Sequence, residues 1–477
     1  MVVPKFAMLC KEEMDLIHSR SLEILQKAGV QFNSERALDI FEDVGCPVNR
    51  DDMSAKIPPK IVEQCLKTLP SRFAKAARDP QKSFVCGDGD IFYTSVSLPS
   101  YIRDLETRTR RLSTLEDLIQ CANLVEAMDE IQEWCPMVLP NDIDPRMRLM
   151  KSCHVSFMHT TKHIMGAIEQ AAETPFFLEM IDAVLGHRDE LKENPILTLV
   201  IEPMSPLTND GKLVDNLLAW SNYQPPIFMQ VLPLAGATSP VTLSGTVLQE
   251  NASFLGNMVL YQLASPGWPI IWGTAGGVLD MRSGQYAGGP EAMLMTLALV
   301  EMAKYYHVPC ATFGASSSES KGIGYQSGME SMFGQVLSVL GQVDNIVWPT
   351  DLDGFALMDL AHVMLGKEVV RQAGRLRIGM QLDDEHLMTD LIVKMKFNGE
   401  YLGDLSTKQL FRKEYLLPDL FPRETFEQWE ARGQSEEEMA VLKVKELLDN
   451  HKPEPLDPEI VKELDRVYAS AEKILGG

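Results

Sequence analysis

Glu202 closes an apolar run of Ile196, Leu197, Leu199, Val200 and Ile201. A carboxylate in that setting needs either a partner or a function, because leaving a charge unpaired among apolar groups is costly. Aromatic faces arranged around such a carboxylate bind a permanent cation that offers no hydrogen-bond donor, each face contributing about 0.5 to 2 kcal/mol once desolvated. Rings stand on comparable short apolar runs at Tyr93, Trp134, Trp272, Phe313 and Trp348, and with Glu202 these are the candidate binding residues. For each ring the competing role is packing in the protein interior, and for Glu202 it is a structural ion pair. Other polar residues at the ends of the same runs are Ser95, Tyr101, Glu133, Glu169, Gln230, Thr274 and Asp351.

Other chemistries find less support. The eight cysteines include no CxxC pair and no cysteine–histidine spacing that converges on a metal, so no metal site is expected. His154, His159 and His163 are close in sequence, yet the first two are not an i, i+4 pair, and satisfied or surface histidines are expected. The serines at 316 to 318 lack a GxSxG elbow and a paired histidine.

The elements that must position these residues follow a rhythm of short apolar run, polar or glycine-containing junction, and amphipathic helical stretch. Strands are predicted near 92–98, 131–139, 163–168, 196–202, 227–232, 270–274, 310–315 and 346–348. Helices are predicted near 115–128, 147–158, 175–185, 213–221, 241–264, 290–306, 326–340 and 357–373. Prolines 195, 226, 269 and 309 precede four of the strands, where a missing amide donor is harmless. Eight such units predict an α/β fold, a (β/α)₈ TIM barrel, with an open doubly wound sheet as the alternative. No GxGxxG follows the first strand, so no dinucleotide site is expected. Residues 1–85 read as a helical N-terminal cap, 86–378 as the barrel, and 379–477 as a C-terminal helical extension. In this architecture reacting groups belong on strand ends and the loops after them.

With 45% hydrophobic and 23% charged residues the chain has the balance of a packed globular protein. The formal net charge of −23, without a basic cluster, argues against nucleic acid and against anionic membranes as partners. No apolar run approaches the ~20 residues of a membrane span, and the N-terminus has no secretory pattern, so a cytoplasmic location is expected. A homo-oligomer is left open.

Two glycine-rich loops, Pro233 to Gly245 and Val278 to Glu291, are the most distinctive segments. Gly236, Thr238, Gly288 and Gly289, together with Ser316, are the candidate residues for admitting a bulky partner at the barrel mouth; tight turns are the competing explanation for the glycines. At these loops the chain resembles the trimethylamine methyltransferase family, in the branch without pyrrolysine. The resemblance also covers Ser21 to Val30, Ala235 to Leu243, Gly289-Pro-Glu291, Ser320 to Glu330 and Phe421 to Trp429. It implies a TIM barrel that presents a methylated amine to a separate corrinoid (cobalamin) protein, with no cofactor tightly held by the chain itself. All residues here are standard, so pyrrolysine chemistry does not carry over, and the tail reads Gly403 to Lys408 where a histidine-containing stretch is common in the family. The implied activity is demethylation of a quaternary amine, with glycine betaine, giving dimethylglycine, as the expected substrate. The alternatives are another betaine, such as proline betaine or carnitine, or a non-catalytic betaine-binding scaffold.

Overall fold

The computed structural model describes residues 2–95, 98–167, 172–312, 317–397 and 399–476. Eight parallel strands close into a barrel: β1 (Phe92–Ser95), β2 (Glu133–Trp134), β3 (His163–Ala167), β4 (Leu197–Ile201), β5 (Ile227–Gln230), β6 (Ile270–Thr274), β7 (Cys310–Thr312) and β8 (Asn345–Val347). Each pairs in parallel with its sequence neighbours, and β8 returns to β1. A helix follows every strand: α1 (Leu115–Glu126), α2 (Arg148–His159), α3 (Thr174–Leu185), α4 (Gly211–Leu218), α5 (Leu243–Ala264), α6 (Gly289–Tyr305), α7 (Tyr325–Leu340) and α8 (Leu360–Ile378). All eight strands and eight helices fall where the hydrophobic rhythm predicts them, and the barrel replaces the open-sheet alternative.

Strand alternation divides the core in two. Residues such as Leu197, Leu199 and Ile201 on β4 point toward the helices and join the large outer core. Met165, Phe228, Ile271, Ala311 and Val347 point inward and fill the barrel with Cys86 and Cys135. Helix α5 is buried around most of its circumference, because the N-terminal helices Lys11–Lys27 and Pro59–Leu66 cover the side that an ordinary barrel helix turns to water.

The N-terminal hairpin of Phe73–Lys75 and Phe84–Cys86 plugs the barrel floor. It inserts Lys75, whose ammonium lies 2.5 Å from Glu133 on β2. The other Glu133 oxygen accepts from Asn345 Nδ2 at 2.8 Å, and His163 Nε2 lies 3.6 Å from the oxygen that faces Lys75. At the opposite end of the chain, helix Glu436–Asn450 packs on α8 and α1, and helix Pro458–Leu475 on α3 and α2.

Candidate functional site

The loops after β5 and β6 build one small sheet over the barrel mouth. Leu234–Ala235 runs parallel to Gly277–Leu279, which pairs antiparallel with Tyr286–Ala287. Gly236 has φ +86°, and a Cβ there would lie 2.6 Å from Met281 Cε, so glycine allows the two loops to touch. Thr238 Oγ1 accepts from the Leu234 amide at 2.9 Å. Gly288 donates its amide to Glu319 Oε1 at 2.5 Å, and Gly289, at φ +69°, opens α6. Four of the five candidate partner-facing residues therefore belong to one loop assembly at the mouth; Ser316 lies outside the described residues. A second sheet, from the loops after β1 and β8, joins Tyr101–Arg103 and Arg110–Leu112 to Asp351–Leu352 and Leu357–Met358. Around the mouth Met204, Leu232, Val241, Met281, Tyr325 and Met329 are exposed.

Below the rim is a cavity of about 450 Å³. Leu98, Cys135, Val200, Glu202, Leu232 and Phe355 line it at the mouth, and it continues behind β3 and β4 to Cys153, Phe177, Leu213 and Trp220 on the helix layer. Its walls are mostly apolar. Its polar groups are largely engaged: Ser152 Oγ donates to the Arg148 carbonyl and Ser156 Oγ to the Ser152 carbonyl, and Thr174 hydrogen-bonds Asn216.

Glu202 is the exception. Its phase along β4 is that of Val200, so it faces the cavity's open volume, where it is exposed at the mouth. Burial raises its carboxyl above the ordinary range, and among the described residues no hydrogen bond or ion pair reaches it. No Arg, Lys or His lines the cavity among the described residues. The site presents one acid and no base. The structural ion pair that was the competing role for Glu202 is therefore absent among the described residues. Nearby, Gln230 at the end of β5 is fully buried, and among the described residues neither of its amide atoms has a hydrogen-bond partner. Its neighbour on β6 must be glycine, since a Cβ at Gly273 would come within 2.7 Å of the Phe228 ring and 3.0 Å of Gln230 Cβ.

The predicted aromatic cage does not form from the predicted rings. Trp134 donates its indole N–H to Ser156 Oγ on α2 at 2.8 Å. Trp272 stacks on Phe254 of α5 at 4.0 Å. Trp348 donates to the Val363 carbonyl on α8 at 2.9 Å, and Tyr93 meets the edge of Trp348 at 5.7 Å. These four rings occupy the strand–helix layer outside the barrel, Tyr93 and Trp348 together and the other two elsewhere, because each has the outward phase of its strand. Phe313 lies outside the described residues. The cavity is lined instead by Phe177 and Trp220 at its helix-layer end and, at the mouth, by Phe355, a loop residue after β8 held at φ +71°, with Tyr286 5.4 Å from it edge to face. The signal for Phe355 was the Asp353-Gly354-Phe355 turn, which lies beyond the strand end rather than on it.

The histidines are satisfied, as the spacing suggested. His154 contacts Asp465 at 2.9 Å and His159 contacts Asn123 at 3.2 Å. His163 is held in the floor by the Ala76 carbonyl and Thr198, and burial, only partly offset by Glu133, pushes it down to about 4, so its imidazole is neutral near pH 7.

A closed TIM barrel with an acid-bearing apolar cavity at its C-terminal mouth is the architecture of an enzyme that handles a small organic substrate. The family model of trimethylamine methyltransferase (MTTB) matches residues 1–474, and the chain belongs to that family. It is 28% identical to the glycine betaine methyltransferase of Desulfitobacterium hafniense strain Y51, over 100% of this chain and 99% of the relative. It is also 28% identical to the trimethylamine methyltransferase MttB of D. hafniense strain DSM 10664 / DCB-2, over 98% of this chain and 94% of the relative. Among solved structures the monomethylamine methyltransferase MtmB of Methanosarcina barkeri shares the fold, with a TM-score of 0.53 at 10% identity, covering 99% of this chain and 88% of that one. Family and relatives support methyl transfer from a methylamine-type substrate.

Proposed function

We propose that the protein transfers an N-methyl group from a quaternary amine to the cobalt of a corrinoid carried by a separate protein. The observation that carries this reading is Glu202, a carboxylate in an apolar cavity at the barrel mouth with no partner among the described residues. A quaternary ammonium has no N–H to donate, so it is recognised by a counter-charge, by aromatic faces and by loss of water. Glu202 supplies the charge and Phe355 an aromatic face. The apolar walls exclude water, which strengthens the attraction between Glu202 and the cation. When the partner docks, its reduced corrinoid supplies the nucleophile, and the nitrogen leaves as a neutral tertiary amine. No side chain need deliver a proton to that leaving group, so this chain acts by orientation, aiming one methyl at the mouth. The exposed apolar rim, with the sheet built around Gly236 and Gly288, is the surface offered to the corrinoid protein.

Glycine betaine is the first substrate to test, since the relative named for it matches over the full length. A second reading has its own support: the lining contains an acid and no basic side chain among the described residues, which favours a quaternary ammonium whose tail carries no nearby carboxylate. Incubating the protein with Co(I) cobalamin and, in turn, glycine betaine, proline betaine, carnitine, choline and tetramethylammonium, while following the methyl-Co(III) spectrum, decides both points. Transfer from none of them, despite binding, would reduce the protein to a scaffold.

A further inference from the structure

The cavity at the mouth is larger than a small betaine needs. Its volume of about 450 Å³ has room for about 15 groups the size of a water molecule, at ~30 Å³ each, and the eight heavy atoms of glycine betaine fill only about half of it. The surplus lies in the branch behind β3 and β4, where Leu197 and Leu199 of β4 line the space together with Phe177 of α3 and Leu213 of α4. Gly166 of β3 helps to keep it open. This residue has the outward phase of its strand, opposite to Met165, and a Cβ there would meet only Leu197 Cδ1, at 3.5 Å, so a longer side chain would project into the branch. Trp220 stands at the helix-layer end. It is fully buried, and its indole N–H finds no partner among the described residues.

We propose that this branch is the subsite for an uncharged, largely apolar tail of the substrate, so that the protein takes a quaternary ammonium carrying a chain of about six carbons in preference to a small betaine. The proposal rests on the cation site at Glu202 put forward above and narrows its substrate class. Protein interiors are packed densely, and a space of this size destabilises the fold until something fills it. The walls say what fills it. They are apolar, and among the described residues no Arg, Lys or His lines them, so a carboxylate on the tail would enter without a counter-charge. The one neutral donor of Trp220 suits an ether or ester oxygen and is too little for an anion taken out of water. A tail in the branch also solves an orientation problem. A trimethylammonium head has three equivalent methyl groups, and a single carboxylate fixes no direction for them. With the tail held behind β3 and β4, the methyl groups are turned away from it toward the mouth, where an acceptor can reach one.

The test is calorimetric affinity of the full-length protein for tetramethylammonium and for butyl-, hexyl- and octyltrimethylammonium, in wild type, Glu202→Gln and Gly166→Val. In wild type, affinity should rise about fourfold per methylene through the hexyl homologue, the equivalent of ~0.8 kcal/mol for each buried CH₂. A carboxylate-tipped chain, 6-(trimethylammonio)hexanoate, should bind about tenfold more weakly than the hexyl compound. Glu202→Gln should lower the whole series by a similar factor, whereas Gly166→Val fills the branch and should flatten the dependence on length. Tetramethylammonium that binds while its longer homologues bind no better overturns the tail assignment and leaves the function proposed above standing. A folded Gly166→Val that keeps the full rise also overturns it, since the tail then lies elsewhere, and a carboxylate-tipped chain that binds as well as the hexyl compound removes the claim that the tail is uncharged. A rise with length that Glu202→Gln does not diminish removes the cation site, and the proposed function with it. If Gly166→Val does not fold, as judged by circular dichroism, Leu213→Phe plugs the same branch from a half-buried position on α4, and the same outcomes apply.

Discussion

The two ends of the barrel each hold a carboxylate, buried at the floor and exposed to the cavity at the mouth, and they are built in opposite ways. At the floor, burial works against the charge of Glu133, but Lys75, His163 and Asn345 outweigh it and hold the carboxyl below its ordinary range. At the mouth, burial acts on Glu202 with nothing to oppose it, and the carboxyl rises. Both residues lie at strand ends, Glu133 fully buried and Glu202 open to the cavity. The difference that bears on function is the partner. A buried acid with its cation supplied in cis is a piece of architecture; an acid facing an apolar cavity without a cation is a place for a ligand's charge.

The strongest way to break this contrast is Glu133→Gln. It leaves the Lys75 ammonium in a dry interior without its counter-charge, and the expected loss of stability is about 3 to 5 kcal/mol, read as a lower urea midpoint. Ligand affinity of the protein that remains folded should not change. Glu202→Gln should do the reverse: stability unchanged, or slightly raised because a partly desolvated charge is gone, and affinity for a quaternary ammonium lowered by roughly 2 kcal/mol, measured by calorimetry. Equal affinity in Glu202→Gln and wild type would remove Glu202 from the site.

How much of this was visible in the amino-acid order differs between the fold and the pocket. The eight βα units were legible because the period of hydrophobicity reports element type directly, and the gly-rich loops were legible as mouth elements because glycine marks close approaches such as Gly236 against Met281. Glu202 stood out since an acid ending an apolar run is rare in a packed core. The rings did not sort correctly. On β6, Ile271 and Gly273 face in while Trp272 faces out, and a strand buried on both faces carries apolar residues in both phases, so its sequence does not say which phase is inward. The floor was equally hidden, because Lys75 comes from a hairpin far from β2 in sequence. Trp348→Phe tests the revised placement: it loses the bond to the Val363 carbonyl and some volume, about 1 to 2 kcal/mol of stability, while affinity for the cation stays within twofold. A larger fall in affinity with the fold intact would restore Trp348 to the pocket.

The mildest test uses pH alone, with a slope that cannot exceed tenfold per unit for one proton, about 1.4 kcal/mol. A bound cation favours the ionised form of Glu202, so its affinity should be full above the raised carboxyl pKa of the free protein and should fall as pH drops through it. Stability has the opposite sign at this residue: because its folded pKa lies above the unfolded value, the stability it contributes is present below the unfolded pKa and is lost as pH rises through the folded one. Glu133, with its folded pKa lowered, contributes stability above the unfolded pKa and loses it only in acid, as pH falls through the folded value. Binding of tetramethylammonium, which does not titrate, measured from neutral pH down through the raised carboxyl range of Glu202, isolates the mouth. Wild type should gain affinity with rising pH and Glu202→Gln should give a flat line, whereas a flat wild-type profile would show that the cation does not feel Glu202. Because the floor acid remains ionised throughout that window, any pH dependence of binding that survives in Glu202→Gln must come from a group other than these two carboxylates.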